Sequence, residues 1–170
     1  MEAKGTRRVQ YSRSSPAEDL TAPGTVSSMK VFATTLTVPT RERTEICNLT
    51  DQLAALPALQ QIAHGYVLLH SLHTTTGLCL NEFQEALLHD ITTLLRRLIP
   101  SEQAYRHNDP AVSDDTRGNA TGHLSAILLG QTLQIPVEHG RLMLGTWQSV
   151  LFCEFDGPQT RHVYVQVMGV

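Results

Sequence analysis

Hydrophobic and polar positions alternate with a period of two along several short stretches of this chain, and with a helical period along others. From Lys30 to Val38, Phe32, Thr34, Leu36 and Val38 fall on one side and Val31, Thr35 and Thr37 on the other. The β-branched content there predicts a strand. Thr44 to Leu49, Gly65 to Ser71 and Gly77 to Leu80 predict three more. Further strands are predicted over Gln131 to Val137, Leu142 to Leu144, Trp147 to Phe155 and Arg161 to Met168, with turns at Glu138-His139-Gly140-Arg141 and Asp156-Gly157-Pro158. Ala86 to Ile99 is the clearest helix: Leu87, Ile91, Leu94, Leu95 and Leu98 recur at helical spacing and Pro100 stops it. Asn81 is positioned to cap it. A short helix runs to Leu56, capped by Thr50 and interrupted by Pro57. Another runs from His123 to Leu129, with Gly130 as its stop. Strands outnumber helices and the turns are closely spaced. The expected fold is therefore α+β, with an antiparallel β-sandwich core and flanking helices.

The pattern starts only after residue 28. The first 28 residues hold Ser12, Ser14, Ser15, Pro16, Pro23, Gly24, Ser27 and Ser28 and almost no apolar periodicity, so they read as a disordered tail before a single domain over residues 29–170. A net charge of −3 with no Lys/Arg stripe argues against general nucleic-acid binding. No apolar run approaches membrane-spanning length. Cys47, Cys79 and Cys153 lie in apolar segments without paired spacing and read as reduced, buried thiols. The expected compartment is cytoplasmic. Arg7, Arg8 and Arg13 raise organellar targeting as the alternative, opposed by Glu2, Glu18 and Asp19.

Candidate chemistry gathers between the two clearest helical and strand patterns. The segment from Ser101 to Thr121 has no periodicity and exceeds the usual length of a connecting loop, which favours a functional loop. It carries His107-Asn108-Asp109, Asp114-Asp115 and Asn119, and Gly122-His123 follows. His73, His107 and His123 each sit at an element boundary. Three imidazoles from separate elements can form a metal site with an open position, although their spacing matches no local zinc motif. Glu82, Asp90, Asp109, Asp114 and Asp115 are candidates for acid–base work or for orienting a histidine, with capping and solvation as the plainer reading for Asp90 and Asp109. Thr74, Thr75 and Thr76 can donate hydroxyls to an oxyanion. Trp147 reads as core packing at a sandwich end, with stacking on a flat ligand as its alternative, and Gly145 as a site of close backbone approach. His64, His70, His89, His139 and His162 read as structural or surface residues.

These motifs together resemble a known family, the YjbQ-type (UPF0047) proteins, also known as secondary thiamine-phosphate synthases. The resemblance rests on His73-Thr74-Thr75 through Asn81-Glu82, Tyr105-Arg106-His107, Asp114-Asp115, Gly122-His123-Leu124, Leu128-Leu129-Gly130, Ile135-Pro136-Val137, Gly140-Arg141-Leu142 and Leu144-Gly145-Thr146-Trp147-Gln148, and runs from about Met29 to Gly169. It implies a compact sandwich assembled as a homotrimer, with a His-lined metal- or anion-binding pocket near a subunit boundary. It implies a transferase that joins a pyrimidine-methyl pyrophosphate to a thiazole phosphate. On that reading His73, His107 and His123 hold a divalent metal, zinc by donor type, with magnesium as the usual pyrophosphate partner the alternative. Asp114, Asp115 and Glu82 would be the catalytic carboxylates. Thr74, Thr75, Asn81, Asn119, Arg141, Trp147 and Gln148 would contact a small phosphorylated substrate. Metal-dependent hydrolysis of a small phosphorylated metabolite and a non-catalytic trimeric binding module remain the competing readings. Two positions depart from the family pattern: Thr76 stands where Ala is usual, and Gln159 where many members carry Arg. Arg161 or Arg141 is the expected substitute for that lost cation.

Overall fold

A computed structural model describes residues 28–170 of the chain, so the expected disordered tail lies outside the described residues except for Ser28. The strands are β1 (Lys30–Pro39), β2 (Glu45–Asn48), β3 (His64–Ser71), β4 (Thr76–Asn81), β5 (Thr132–Glu138), β6 (Arg141–Leu142), β7 (Ser149–Glu154) and β8 (Thr160–Gly169). The helices are α1 (Thr50–Ala54), α2 (Glu85–Leu98) and α3 (Ala120–Leu129). Short 3-10 turns occupy Pro57–Gln61 and Arg106–Asn108.

Every described pairing is antiparallel. One sheet runs β1-β8-β3-β5-β6 and a smaller one β2-β7-β4. The period of two decides the layering. In β7, Val150 and Phe152 join Val67, Leu69, Ile135, Val163 and Val165 of the large sheet in one core. The alternate residues Leu151 and Cys153 join Leu95 of α2 and Ala126 of α3 in another. The small sheet is therefore buried on both faces, which is why β7 reads as an unbroken apolar run rather than an alternating one. Large sheet, small sheet and helix pair stack as three layers, an α+β sandwich with flanking helices as the pattern predicts.

Helix α3 is inverted for a surface helix. It buries Ala120, Gly122, Ser125 and Ala126 and exposes Leu124, Ile127 (73 % exposed) and Leu128. Small residues allow a close approach: a Cβ added at Gly122 would stand 3.0 Å from the Phe155 carbonyl oxygen. Gly130, at φ 84°, ends the helix in the left-handed region as expected.

Several local expectations are corrected. Helix α3 begins three residues before His123, because the turn preceding it is tied down by side-chain hydrogen bonds rather than by a capping pattern. The cap of α2 is Gln84, whose side chain accepts the Leu87 N–H, while the Asn81 side chain accepts the neighbouring Glu82 N–H. Thr50 lies inside α1 and bonds to Asn48 Oδ1 instead of capping. The strand at Trp147 starts only at Ser149, and Trp147 is 64 % exposed rather than packed in the core. Gly145 meets only ordinary contact, its N–H donating to Gln148 Oε1 at 2.8 Å, so no close approach requires it. Cys153 is buried and Cys47 and Cys79 are half-buried, all three as free thiols.

Candidate functional site

The site is built where the long loop enters α3. The Asp115 carboxylate accepts backbone N–H groups from Arg117 (3.1 Å), Gly118 (2.7 Å) and Asn119 (3.4 Å), which turns the chain into the helix. Those hydrogen bonds hold its carboxyl below the usual range. Asn108 Oδ1 accepts the Ala120 N–H at 3.0 Å and fastens the 3-10 turn carrying His107 to the first turn of α3. His107 and His123 are thereby brought edge to face, with ring centroids 4.8 Å apart. Burial, and next the neighbouring His107, depress the His123 pKa, against the opposing charges of Asp115 and Asp156. Its imidazole is thus held neutral at physiological pH, the form that ligates a metal or accepts a proton. A cavity of about 290 Å³ opens over the pair, lined by Tyr105, Arg106, His107, Ala120, His123 and Leu124. A larger one, of about 490 Å³, lies on the opposite face of α3 and is lined there by Thr121, Gly122 and Ser125, with Arg43 and Arg96 facing them.

Behind the histidines stands a polar lattice. Asp156 accepts from Arg117 Nε (2.6 Å) and Asn119 Nδ2 (2.8 Å), and Arg43 lies 3.9 Å away. Burial raises its carboxyl pKa, but the hydrogen bonds and the Arg117 and Arg43 charges outweigh that and leave it lowered. Asn119 Oδ1 is buried and has no hydrogen-bond partner among the described residues. One residue pair further in, Glu154 (0 % exposed) is held by Arg161 (8 % exposed) through Nε (2.5 Å) and Nη2 (2.7 Å). The same carboxylate takes the N–H groups of Phe155 and Asp156 and the Thr40 hydroxyl.

Residues 34–170 match the family described as UPF0047 protein YjbQ-like. The chain belongs to the YjbQ-like UPF0047 family. Among its relatives, a UPF0047 protein of Archaeoglobus fulgidus is 43 % identical over 133 residues, covering 78 % of this chain and 98 % of that protein. The UPF0047 protein YugU of Bacillus subtilis is 33 % identical over 135 residues, covering 79 % and 98 %. In structure, a protein of unknown function from Sulfolobus solfataricus superposes with a TM-score of 0.77 at 32 % identity, covering 84 % of this chain and all of that one.

Against this YjbQ-like frame, the expected site residues separate into groups. His107, His123, Asp115 and Asn119 come together at the start of α3. His73 does not join them as one cluster within the chain. It packs against His162 of β8, ring centroids 6.1 Å apart, and its Nε2 accepts the His162 N–H at 2.9 Å. Burial, then Arg161 and His162, lower its pKa. The neutral ring therefore carries its proton on Nδ1. Thr75 is drawn into the buried ion pair, its hydroxyl meeting Arg161 Nη2 at 3.1 Å, so it is not free to face a substrate. Thr74, Asn81 and Asp114 are exposed and Glu82 half-buried, around the ends of β4 and in the loop. Arg141 is opposite Glu138 at the far hairpin, and Trp147 and Gln148 sit in an exposed turn. Neither expected substitute for an Arg at position 159 fits: Arg161 is committed to Glu154, and Arg141 is at the β5–β6 hairpin. The guanidinium that reaches Gln159 belongs to Arg117, whose Nη1 lies 3.2 Å from the amide oxygen in its hydrogen-bonded orientation. Asn108 figures in the sequence reading only as a polar loop residue and Asp156 only as a turn residue, while Arg117 and Glu154 escaped it. Only Glu154 left a signal, a lone charge closing the apolar run Val150 to Cys153.

Proposed function

We propose that this protein is an enzyme of small phosphorylated metabolites whose centre is a divalent metal held by His107 and His123, completed by His73 of a neighbouring copy in a homotrimer. The observation that carries it is the edge-to-face imidazole pair under an open cavity, with His123 kept neutral. Two neutral imidazoles suit zinc better than magnesium. Such an ion would neutralise charge on a phosphoryl or pyrophosphate group. The chain's own residues supply the rest: Arg106 adds a cation at the cavity wall, and Tyr105 and Leu124 give apolar surface to a flat ring. Asp115 fixes the helix start that aims His123. The apolar outer face of α3, beside His123, supports a neighbouring copy at this place. His73 can reach such a centre only by turning away from the His162 N–H or by losing its Nδ1 proton.

The leading reaction is transfer of the thiamine-phosphate synthase type: the thiazole nitrogen bonds to the pyrimidine methylene carbon as that carbon's bond to pyrophosphate breaks. Hydrolysis of a phosphate ester is the second reading, favoured by the nitrogen donor set. A cytoplasmic location fits the free thiols; no helix among the described residues is long and apolar enough to cross a membrane. The test is complementation. His73→Ala and His123→Ala trimers each lose metal in elemental analysis. Unfolded and reassembled together at equal amounts, they regain about one quarter of the sites, because a shared site needs one intact half from each copy. No recovery would refute a site shared between copies, and full metal in His123→Ala would refute the centre itself. Product analysis with pyrimidine pyrophosphate and thiazole phosphate separates the two reactions.

A further inference from the structure

The β5–β6 hairpin carries a histidine where hairpins of its kind favour asparagine. His139 and Gly140 form its two-residue turn with φ of 48° and 75°, the pair of positive values that a type I′ turn requires. Glycine adopts this freely, and asparagine more readily than other side chains. His139 is the one non-glycine residue with positive φ among the described residues. The turn is clamped as well: the His139 N–H donates to the Ala63 carbonyl at 2.6 Å and the Gly140 N–H to that of Ile62 at 2.9 Å.

The clamp puts the imidazole beside two other donors. His64 stands directly opposite Glu138 in the β3–β5 register, so their side chains share a face. His64 Nδ1 lies 2.7 Å from Glu138 Oε2, and the His64 and His139 rings meet edge to face at 5.2 Å. One ligand atom from each of the three lies within 4.8 Å of the others, and among the described residues no other cluster of three such side chains meets that distance.

We infer that His64, Glu138 and His139 form a second divalent-metal site, independent of the His107–His123 centre. Two imidazoles and one carboxylate are a donor set for zinc, or for nickel or copper, and leave at least one position open to water or another ligand. Small side-chain rotations suffice, since two donors on one first-row ion are separated by about 3–4 Å when each bond is roughly 2 Å. Binding replaces the His64 Nδ1–Glu138 contact with bonds to the ion, and His64 then carries its ring proton on Nε2. Arg141, opposite Glu138 on β6, disfavours a cation there, and the short contact from Glu138 goes to His64 instead. His64 begins β3 and His73 follows its end, so the length of that strand separates the two sites. A metal here would pin the hairpin to the start of β3.

The test uses the untagged full chain, stripped with a chelator and titrated with zinc. The wild type should bind one more equivalent than His64→Ala, and one more than His139→Asn. Asparagine suits the turn, so His139→Asn removes the ligand while keeping the backbone; its unfolding midpoint in chelator should match that of the wild type. Zinc should raise the wild-type midpoint by more than it raises that of either variant. Cobalt should give a visible d–d band that loses one equivalent of intensity in both variants, while His123→Ala keeps that equivalent. Unchanged zinc stoichiometry in His64→Ala and His139→Asn would overturn the site. Loss of this same equivalent in His123→Ala would merge it with the first centre and also overturn it.

Discussion

Replacing Glu154 with leucine should cost more stability than any surface change in this protein. Leucine leaves Arg161 buried and charged without a counter-ion and strips the acceptor from the Asp156 N–H, whereas the Thr40 hydroxyl keeps the Gln159 carbonyl at 3.0 Å. Phe155 keeps a partner, because its N–H also donates to the Thr75 carbonyl at 3.1 Å. Breaking one side of a buried ion pair costs about 3–5 kcal/mol. At about 2–4 °C per kcal/mol for a chain of this size, the melting midpoint should fall by roughly 6–20 °C. The double variant Glu154→Leu/Arg161→Met removes both charges, and what persists is the orphaned amide, about 1–3 kcal/mol. Urea unfolding by linear extrapolation measures Glu154→Leu, Arg161→Met and the double variant. A single variant within about 1 kcal/mol of wild type, or a double variant as unstable as the sum of the singles, refutes the reasoning.

Asp156 sets an acid limit. Its carboxyl is held below the ordinary aspartate range, so the native state stays charged where the unfolded chain takes up a proton. Its contribution is complete above the unfolded value and is lost as pH falls from there through the lower native one, so Asp156→Asn should flatten the decline in midpoint measured as pH is lowered from about 5. Burial, and next the Glu45 charge, push the Cys47 thiol up to about 11, so mass spectrometry after alkylation at about pH 8 should find Cys47 labelled roughly a hundredfold more slowly than a free thiol. Trp147→Ala should leave the unfolding free energy of the protomer within about 0.5 kcal/mol, since the indole is exposed; a loss above about 2 kcal/mol would restore its expected place in the core.

The elements legible in the sequence were those whose pattern is local. The alternation in β1 and β8, the stripe of α2 and the stops at Pro100 and Gly130 depend only on period and backbone restriction, and the structure keeps them. The start of α3 was not legible, because Asn108 and Asp115 make it by bonding backbone groups several residues away, which no capping pattern records. Trp147 misled for a related reason: aromatic identity predicts burial on average, but the Gly145–Gln148 turn swings it clear of both cores.

The candidate site divides along the same line. His107 and His123 were recognisable because an aperiodic loop rich in polar residues has no packing duty, and the structure brings them together. Convergence of a third histidine is a tertiary fact, and the one cluster of three donors among the described residues is at His64, Glu138 and His139, two of which read as structural or surface histidines. Their spacing in sequence spans the whole β3-to-β5 connection, so only strand register could reveal them. Register also explains why Arg161 could not serve as a substrate cation. Its partner in the β1–β8 ladder is Val38, on the face that packs against the small sheet, so the guanidinium points inward to Glu154 at the end of β7. A charge on the inner face of a sandwich must be neutralised there. The anchored Glu154 in turn holds the N–H groups leading to Asp156, and Asp156 holds Arg117 and Asn119 at the foot of α3. That buried Glu154–Arg161 pair is the mounting on which the His107–His123 pair stands. Weakening it should therefore loosen His123 and, if the proposed metal centre exists, lower the metal bound in elemental analysis under conditions where the fold survives; unchanged metal would refute this support role.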